Sequence, residues 1–150
     1  MRPQSRGHLA IRSNDPKAPI AIHANYLSAS EDLELMIDCV RLSRDILKQP
    51  AFKPFRAHEI FPGDQLTDRN GLIDFIRTKA ETIYHPVGTC RMGSDDGAVV
   101  DPTLCVKGIE GLRVVDASVM PTLTGGNTNA PTIMIAEKAS DMILRGASSA

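Results

Sequence analysis

Near the start of the chain apolar and polar positions alternate over His8-Leu9-Ala10-Ile11-Arg12 and again over Ile20-Ala21-Ile22-His23-Ala24, on either side of the turn-forming Asn14-Asp15-Pro16-Lys17. A period of two broken by such a turn predicts a pair of short strands. From Ser30 the period lengthens: Leu35, Cys39, Leu42 and Ile46 fall in one row, with Met36, Val40 and Leu47 beside it, which predicts a helix with one broad buried face. Ser30 is placed to cap it, Glu31, Asp32 and Glu34 lie at the positive end of its dipole, Lys48 lies at the other end, and Pro50 stops it. Cys39, on that face, reads as packing. Residues 51–66 carry Phe52, Phe55 and Phe61 with no period, which predicts a covering loop with room for a short strand. Its rings either line a lid or plug the underside of the loop. Helical spacing returns at Leu72, Ile73, Phe75 and Ile76, predicting a second helix from about Asp68 to Thr82.

In the second half, Ala98-Val99-Val100 and Leu112-Arg113-Val114-Val115-Asp116 read as short strands. Asp116, at a strand end, suits either a ligand hydroxyl or a turn cap. A last helix is expected from about Asn129, with Pro131 in its first turn, through Ile133, Met134, Ile135, Ala136, Ala139, Met142 and Ile143 to just before Gly146. Its first half is apolar nearly all round, so burial is expected; the Gly-Ala-Ser-Ser-Ala tail reads as frayed. There is no internal repeat.

At 150 residues, 42% apolar and 23% charged, the chain has the composition of an ordinary globular domain. A net charge of −1 with no basic block argues against nucleic acid or an anionic membrane as partner. No apolar run approaches the roughly 18 residues that span a bilayer, and the N-terminus lacks a signal-peptide core. Arg2, Arg6 and Arg12, with no acid before Asp15, resemble a mitochondrial presequence in composition, but Pro3 and Gly7 would break its helix. Cys39, Cys90 and Cys105 are odd in number with no CxxC pair, which reads as reduced thiols in a cytoplasmic setting. A zinc site from His85, Cys90 and Cys105 lacks ligand spacing. His8 and His23 read as strand histidines on the surface or in hydrogen bonds.

Two segments carry chemistry. In His85-Pro86-Val87-Gly88-Thr89-Cys90-Arg91-Met92-Gly93 the proline and glycines exclude a regular helix, so the imidazole is presented from an irregular turn. A histidine, with its ordinary pKa near 6.5, can take a proton from an alcohol at neutral pH; the alternative is a structural histidine. In Gly125-Gly126-Asn127-Thr128-Asn129-Ala130-Pro131-Thr132 the glycines permit close backbone approach. The helix that follows aims its unpaired amides at whatever lies in the loop, an anion or an electron-rich ring. The alternative is that Asn127 and Asn129 only cap the helix.

These motifs closely resemble the C-terminal region of the glucose-methanol-choline (GMC) family of flavin-dependent alcohol oxidoreductases, nearest to its choline-dehydrogenase-like branch. The likeness extends over nearly the whole chain: Arg2-Pro3-Gln4-Ser5-Arg6-Gly7, Ser13-Asn14-Asp15-Pro16, Asn25-Tyr26-Leu27, His85 to Gly93, Gly111 to Ser118, Met120-Pro121 and Gly126 to Thr132. The resemblance implies FAD as cofactor and an α+β fold: a C-terminal substrate-binding sheet with helices, plus the closing strand and last helix of an FAD-binding α/β domain whose N-terminal part is absent. Residues 1–95 would be mainly the substrate-binding part and 96–150 mainly the segment completing the FAD domain. It implies that His85 removes the hydroxyl proton while hydride moves from carbon to flavin, and that Asn127 holds the substrate oxygen. Asp116 and Ala117 would run beside the cofactor's phosphate and ribityl portion, and Asn127, Thr128, Asn129, Ala130, Pro131 and Thr132 would lie against the flavin.

No G-x-G-x-x-G follows a strand anywhere in the chain, so an N-terminal FAD-binding portion would have to be supplied. The chain thus reads as a fragment, a truncated product or one part of a split enzyme acting on a small primary alcohol. The competing reading is a non-catalytic remnant or partner-binding module of the same fold. A metal- or nicotinamide-dependent dehydrogenase has neither ligand spacing nor fingerprint behind it. A choline site would need rings or a carboxylate around the ammonium, and the chain has no Trp and two Tyr, so other primary alcohols fit equally well. Alone, the apolar run at Val114-Val115 and the last helix would lack partners. The isolated chain is therefore expected to associate or to bind a hydrophobic dye; a monomer in sedimentation that binds no dye contradicts this.

Overall fold

The computed structural model describes residues 2–147. The chain forms two compact units: Gln4–Thr82, and the residues from Ile83 onward joined by the segment ending at Pro3.

In the first unit, β1 (His8–Ala10) pairs antiparallel with β2 (Ala21–His23) in the register His8↔His23, Leu9↔Ile22, Ala10↔Ala21. The strands are shorter than their alternating runs. Pro19 has no amide to give to a ladder, and Ile11, Arg12 and Ile20 lie outside the pairing.

Helix α1 (Ser30–Leu47) has Ala29, not Ser30, as its N-cap; the Ser30 hydroxyl turns to Glu31. The Ala29 amide donates instead to Ser5 Oγ at 3.0 Å. Beside it the buried Asp32 carboxylate accepts from the amides of Gln4 and Ser5, each at 2.8 Å, and from the Ser5 hydroxyl. The cap has been replaced by a latch from the preceding segment. Helix α2 (Arg69–Lys79) begins as expected: Asp68 caps it by accepting from the Gly71 amide at 2.9 Å. It ends three residues before Thr82, where the Ala80 amide closes the last turn onto Ile76.

The core of this unit is Leu33 and Ile37 of α1 against Leu72 and Ile76 of α2, an i, i+4 pair from each helix. Met36, Val40, Ile73 and Phe75 pack around it. The expected row Leu35, Leu42, Ile46 is instead exposed, at 44%, 60% and 47%, and Leu47 with it. Leu35 lies two residues from both Leu33 and Ile37, about 200° around the helix, so docking α2 on one apolar row turns the other outward. Cys39 is half-buried with a free thiol. Residues 51–66 contain a 3-10 turn at Pro50–Phe55 and no strand. Arg44 of α1 anchors this loop, holding Glu59 through Nε and Nη2 at 3.0–3.1 Å and the Gly63 carbonyl at 3.1 Å. Phe52, Phe55 and Phe61 do not plug the loop; they are exposed along an open groove of about 700 Å³ with Met36, Cys39 and Phe75.

The second unit corrects the strand expectation. Residues 98–100 and 112–116 form only isolated bridges, Met92↔Val100, Val100↔Val106 and Cys105↔Arg113. Backbone turns with positive φ at Leu104, Gly108 and Gly111 break each run before a ladder can extend. Val100, Leu104, Val119 and Met120 nevertheless make one core with Ile135 and Ala139 of α3 (Asn129–Ala147). Helix α3 takes Pro131 in its first turn and runs through Gly146 to Ala147, past the expected end. Its first half is not buried all round: Ile135 and Ala139 are, whereas Ile133 and Met134 are exposed. The Ser148–Ala150 part of the expected frayed tail lies outside the described residues. No helix among the described residues is long and apolar enough to cross a membrane.

The Ser5 hydroxyl bonded to Asp32, reinforced by the amides of Gln4 and Ser5, holds this carboxyl below its ordinary pKa. The folded chain thus binds fewer protons there than the unfolded chain, so the latch stabilises fully above the unfolded value, near pH 4, and is lost as pH falls through the folded one. Asp32→Asn should cost about 1–3 kcal/mol at neutral pH and flatten the acid limb of stability. Urea midpoints between about pH 6 and 2.5 check this; identical acid limbs in the two proteins contradict it.

Candidate active site on the histidine loop

His85 lies in the second unit in a segment without regular structure, and the loop that follows is fixed by backbone bonds. The Cys90 amide donates to the Ser118 carbonyl at 3.0 Å and the Met92 amide to the Val119 carbonyl at 2.8 Å. The Gly93 amide reaches the Val100 carbonyl at 3.1 Å. Val87 and Met92 rest on the core that holds Val119, Met120 and the Ile135–Ala139 stripe of α3. Gly88 has φ +87°, which favours glycine, and a Cβ there would stand 3.3 Å from the Met120 carbonyl oxygen, a tight contact that would push that oxygen back by a few tenths of an ångström. Arg91 closes the loop on Asp95 with two bonds, and this guanidinium holds the Asp95 carboxyl far below the usual range.

The imidazole of His85 is half-buried. Its Nδ1 is sealed from solvent without a hydrogen-bond partner among the described residues, whereas Nε2 is not sealed. A buried ring nitrogen left unpaired costs about 1–3 kcal/mol, so this one is poised to take a partner. With the proton on Nδ1, Nε2 is the nitrogen able to accept one.

Asp116 is the N-cap of a single 3-10 turn, Ala117–Val119, accepting from the Ser118 amide at 2.8 Å and from the Ser118 hydroxyl. Of its two readings, the cap is the one this geometry displays. Ala117 packs against the core. Asn127 is exposed in an irregular turn, and the flank of Gly126 is open, with nothing within 4 Å of a Cβ built there. Asn129 and Ala130 open α3 at the surface, and the Thr128 carbonyl accepts from both the Thr132 amide at 3.0 Å and the Thr132 hydroxyl at 2.6 Å. Pro131 has no amide to leave unpaired. Every expected site residue thus belongs to one unit, on segments tied to one core: His85 precedes Val87, and Asn127 precedes α3. An exposed carboxamide at Asn127 and an open glycine flank at Gly126 lie just before the positive end of a long helix.

Neither the aromatic groove nor a second hollow around Ile11–Ile20 is lined by His85 or Asn127. Among the described residues no group of three or more His, Cys, Asp and Glu is arranged to hold a metal, and Cys90 and Cys105 are free thiols. The sequence reading missed the Asp32–Ser5 latch, the Arg44–Glu59 clamp and a stacked pair of histidines, His8 and His23. Only the last had a signal, since the two lie opposite each other across the turn.

A family profile described as GMC oxidoreductase matches residues 3–136. The chain belongs to this family. An alcohol dehydrogenase (acceptor) of Pseudomonas putida is 50% identical over 143 residues, 95% of this chain but 26% of that protein. An oxygen-dependent choline dehydrogenase of Cronobacter sakazakii is 52% identical over the same share of each. Among solved structures, pyridoxine 4-oxidase from Mesorbium loti matches at TM-score 0.86 and 37% identity over 93% of this chain and 27% of that one. An FAD-dependent oxidoreductase from Chaetomium thermophilum matches at TM-score 0.91 and 28% identity over 98% and 26%. The chain therefore spans about a quarter of the length of the GMC relatives it matches, as a small α+β piece corresponding to their C-terminal region, in the choline- and alcohol-dehydrogenase-like branch.

Gly88→Ala forces a side chain into the left-handed region against a carbonyl and should cost about 1–3 kcal/mol. Gly126→Ala meets open space and should leave stability unchanged. Thermal melts of both check this; equal melting temperatures contradict it.

Proposed function

We propose that this chain is the proton-accepting C-terminal portion of an FAD-dependent alcohol oxidoreductase. By itself it acts as a partner-binding module of the GMC fold, and it gains catalysis only when an FAD-binding portion is supplied. The observation that carries the module reading is length against exposure: the chain spans a quarter of its relatives, and α3 leaves Ile133, Met134 and Ile143 in solvent beside a small core. Such a face calls for a covering surface. In this reading residues 1–95 serve mainly the substrate and 96–150 mainly complete the FAD domain.

FAD, when bound, supplies the acceptor for the electrons and hydrogen that leave the alcohol carbon. His85 accepts the hydroxyl proton at Nε2 while Nδ1 keeps its own. Asn127, uncharged at any working pH, donates from its carboxamide to the substrate oxygen. Asn129 and Ala130, at the positive end of α3, with Thr128, Pro131 and Thr132 shaping that end, hold the electron-rich ring; Asp116 and Ala117 flank the phosphate and ribityl portion. The substrate class is a small primary alcohol. Three free thiols suit a reducing, cytoplasmic compartment.

Coexpression with a complementing FAD-binding portion, followed by visible absorption and an alcohol screen, tests this. The chain alone should be colourless and inactive, and the pair yellow and bleached by alcohol. His85→Ala should keep FAD and lose about 10²–10⁴-fold in rate, and Asn127→Ala about 10²-fold or more. Turnover by the isolated chain contradicts the module reading, and an undiminished His85→Ala rate contradicts the catalytic one.

A further inference from the structure

The pairing of β1 with β2 sets His8 directly opposite His23. Their rings stack with centroids 4.4 Å apart and planes inclined by 15°. Both residues are exposed, and no hydrogen bond or ion pair among the described residues holds either ring. Two imidazoles thus stand side by side, each with its ring nitrogens uncommitted to any other protein group. Arg6, two residues before the start of β1, turns a guanidinium nitrogen to the Ser5 carbonyl at 3.0 Å. Beyond the pair, Asn25 donates its amide to the Arg6 carbonyl at 3.1 Å, tying the open end of the hairpin together.

We propose that His8 and His23 form a two-imidazole site for a borderline divalent transition cation, with Cu2+ bound most tightly. Imidazole nitrogens lie about 2.0–2.1 Å from such an ion, so two ligands on one ion stand about 3 Å apart. Directly opposed strand residues have Cβ atoms about 5 Å apart, which places two rings within that reach. Rotation of each exposed ring about its own side-chain bonds converts a stacked pair into a chelating one, with water completing the coordination. Cu2+ outranks Ni2+ and Zn2+ at a nitrogen site of this kind. The ion would clip the ends of a two-stranded sheet that is marginal by itself, and so stabilise the folded hairpin by mass action. This site belongs to the Gln4–Thr82 unit and needs neither FAD nor His85.

Cu2+ titration of the full chain in a non-coordinating buffer, read by electron paramagnetic resonance, tests the assignment. One equivalent should bind with the splitting of two nitrogens. His8→Ala and His23→Ala should each weaken binding by about a hundredfold, because a two-point chelate becomes a single contact. His58→Ala, in the exposed loop of the same unit, should leave binding unchanged. In the unsubstituted chain, trace Cu2+ should broaden the imidazole proton resonances of His8 and His23 before those of His58 and His85. Binding unaffected by either His8→Ala or His23→Ala, or broadening that starts at another histidine, overturns the proposal.

Discussion

Two backbone bonds, Cys90 amide to Ser118 carbonyl and Met92 amide to Val119 carbonyl, fix the loop that presents His85, and the rest of the candidate site depends on them. Their acceptors sit on a short turn whose Val119 is fully buried against the same cluster as Ile135 and Ala139 of α3. The loop is therefore held by a core that the chain provides itself, and the segment leading into α3 shares that support. Asp116 contributes by shaping the turn: capping Ala117–Val119 points the Ser118 and Val119 carbonyls at the loop. A proton acceptor needs this kind of positional constraint before its chemistry matters, because small displacements cost large factors in rate.

That core is small. In the second unit the backbone meets itself at single bridges, and α3 buries a narrow stripe while its flanking isoleucines and methionine face water. In the first unit α1 carries apolar rows on two sides and α2 covers one. A chain spanning a quarter of its GMC relatives and carrying apolar faces of this kind has the surface of a component. The proposed partner-binding role rests on this combination of length and exposure.

What could be read from the sequence was what depends on near neighbours. A helix start at about Asp68, Pro131 in a first helical turn and two short strands around Asn14–Lys17 each follow from chemistry within a few residues, and each is found. The non-helical setting of His85 follows from Pro86 and Gly88 in the same way. What depends on distant partners was not legible. Leu33-Ile37 and Leu35-Leu42-Ile46 are equally apolar, and only the docking of α2 decides which faces inward. The runs at 98–100 and 112–116 have strand composition, but a ladder needs several consecutive pairs, and here each run is bridged at a single residue, Val100 or Arg113. Ser30 looks like a cap because the Ser5 latch, twenty-five positions earlier, is invisible to local reading. The roles of Asn127 to Thr132 toward FAD rest on family resemblance, while their place at the start of a long helix rests on the fold.

Amide hydrogen exchange of the isolated chain tests most directly whether its own core holds the histidine loop. The amides of Cys90 and Met92 should be protected and should exchange together with those of Ile135 and Ala139, since opening one requires opening the other. Exchange of Cys90 and Met92 at the rate of an unstructured chain, while α3 stays protected, would show a loop that the core does not hold and would contradict the account.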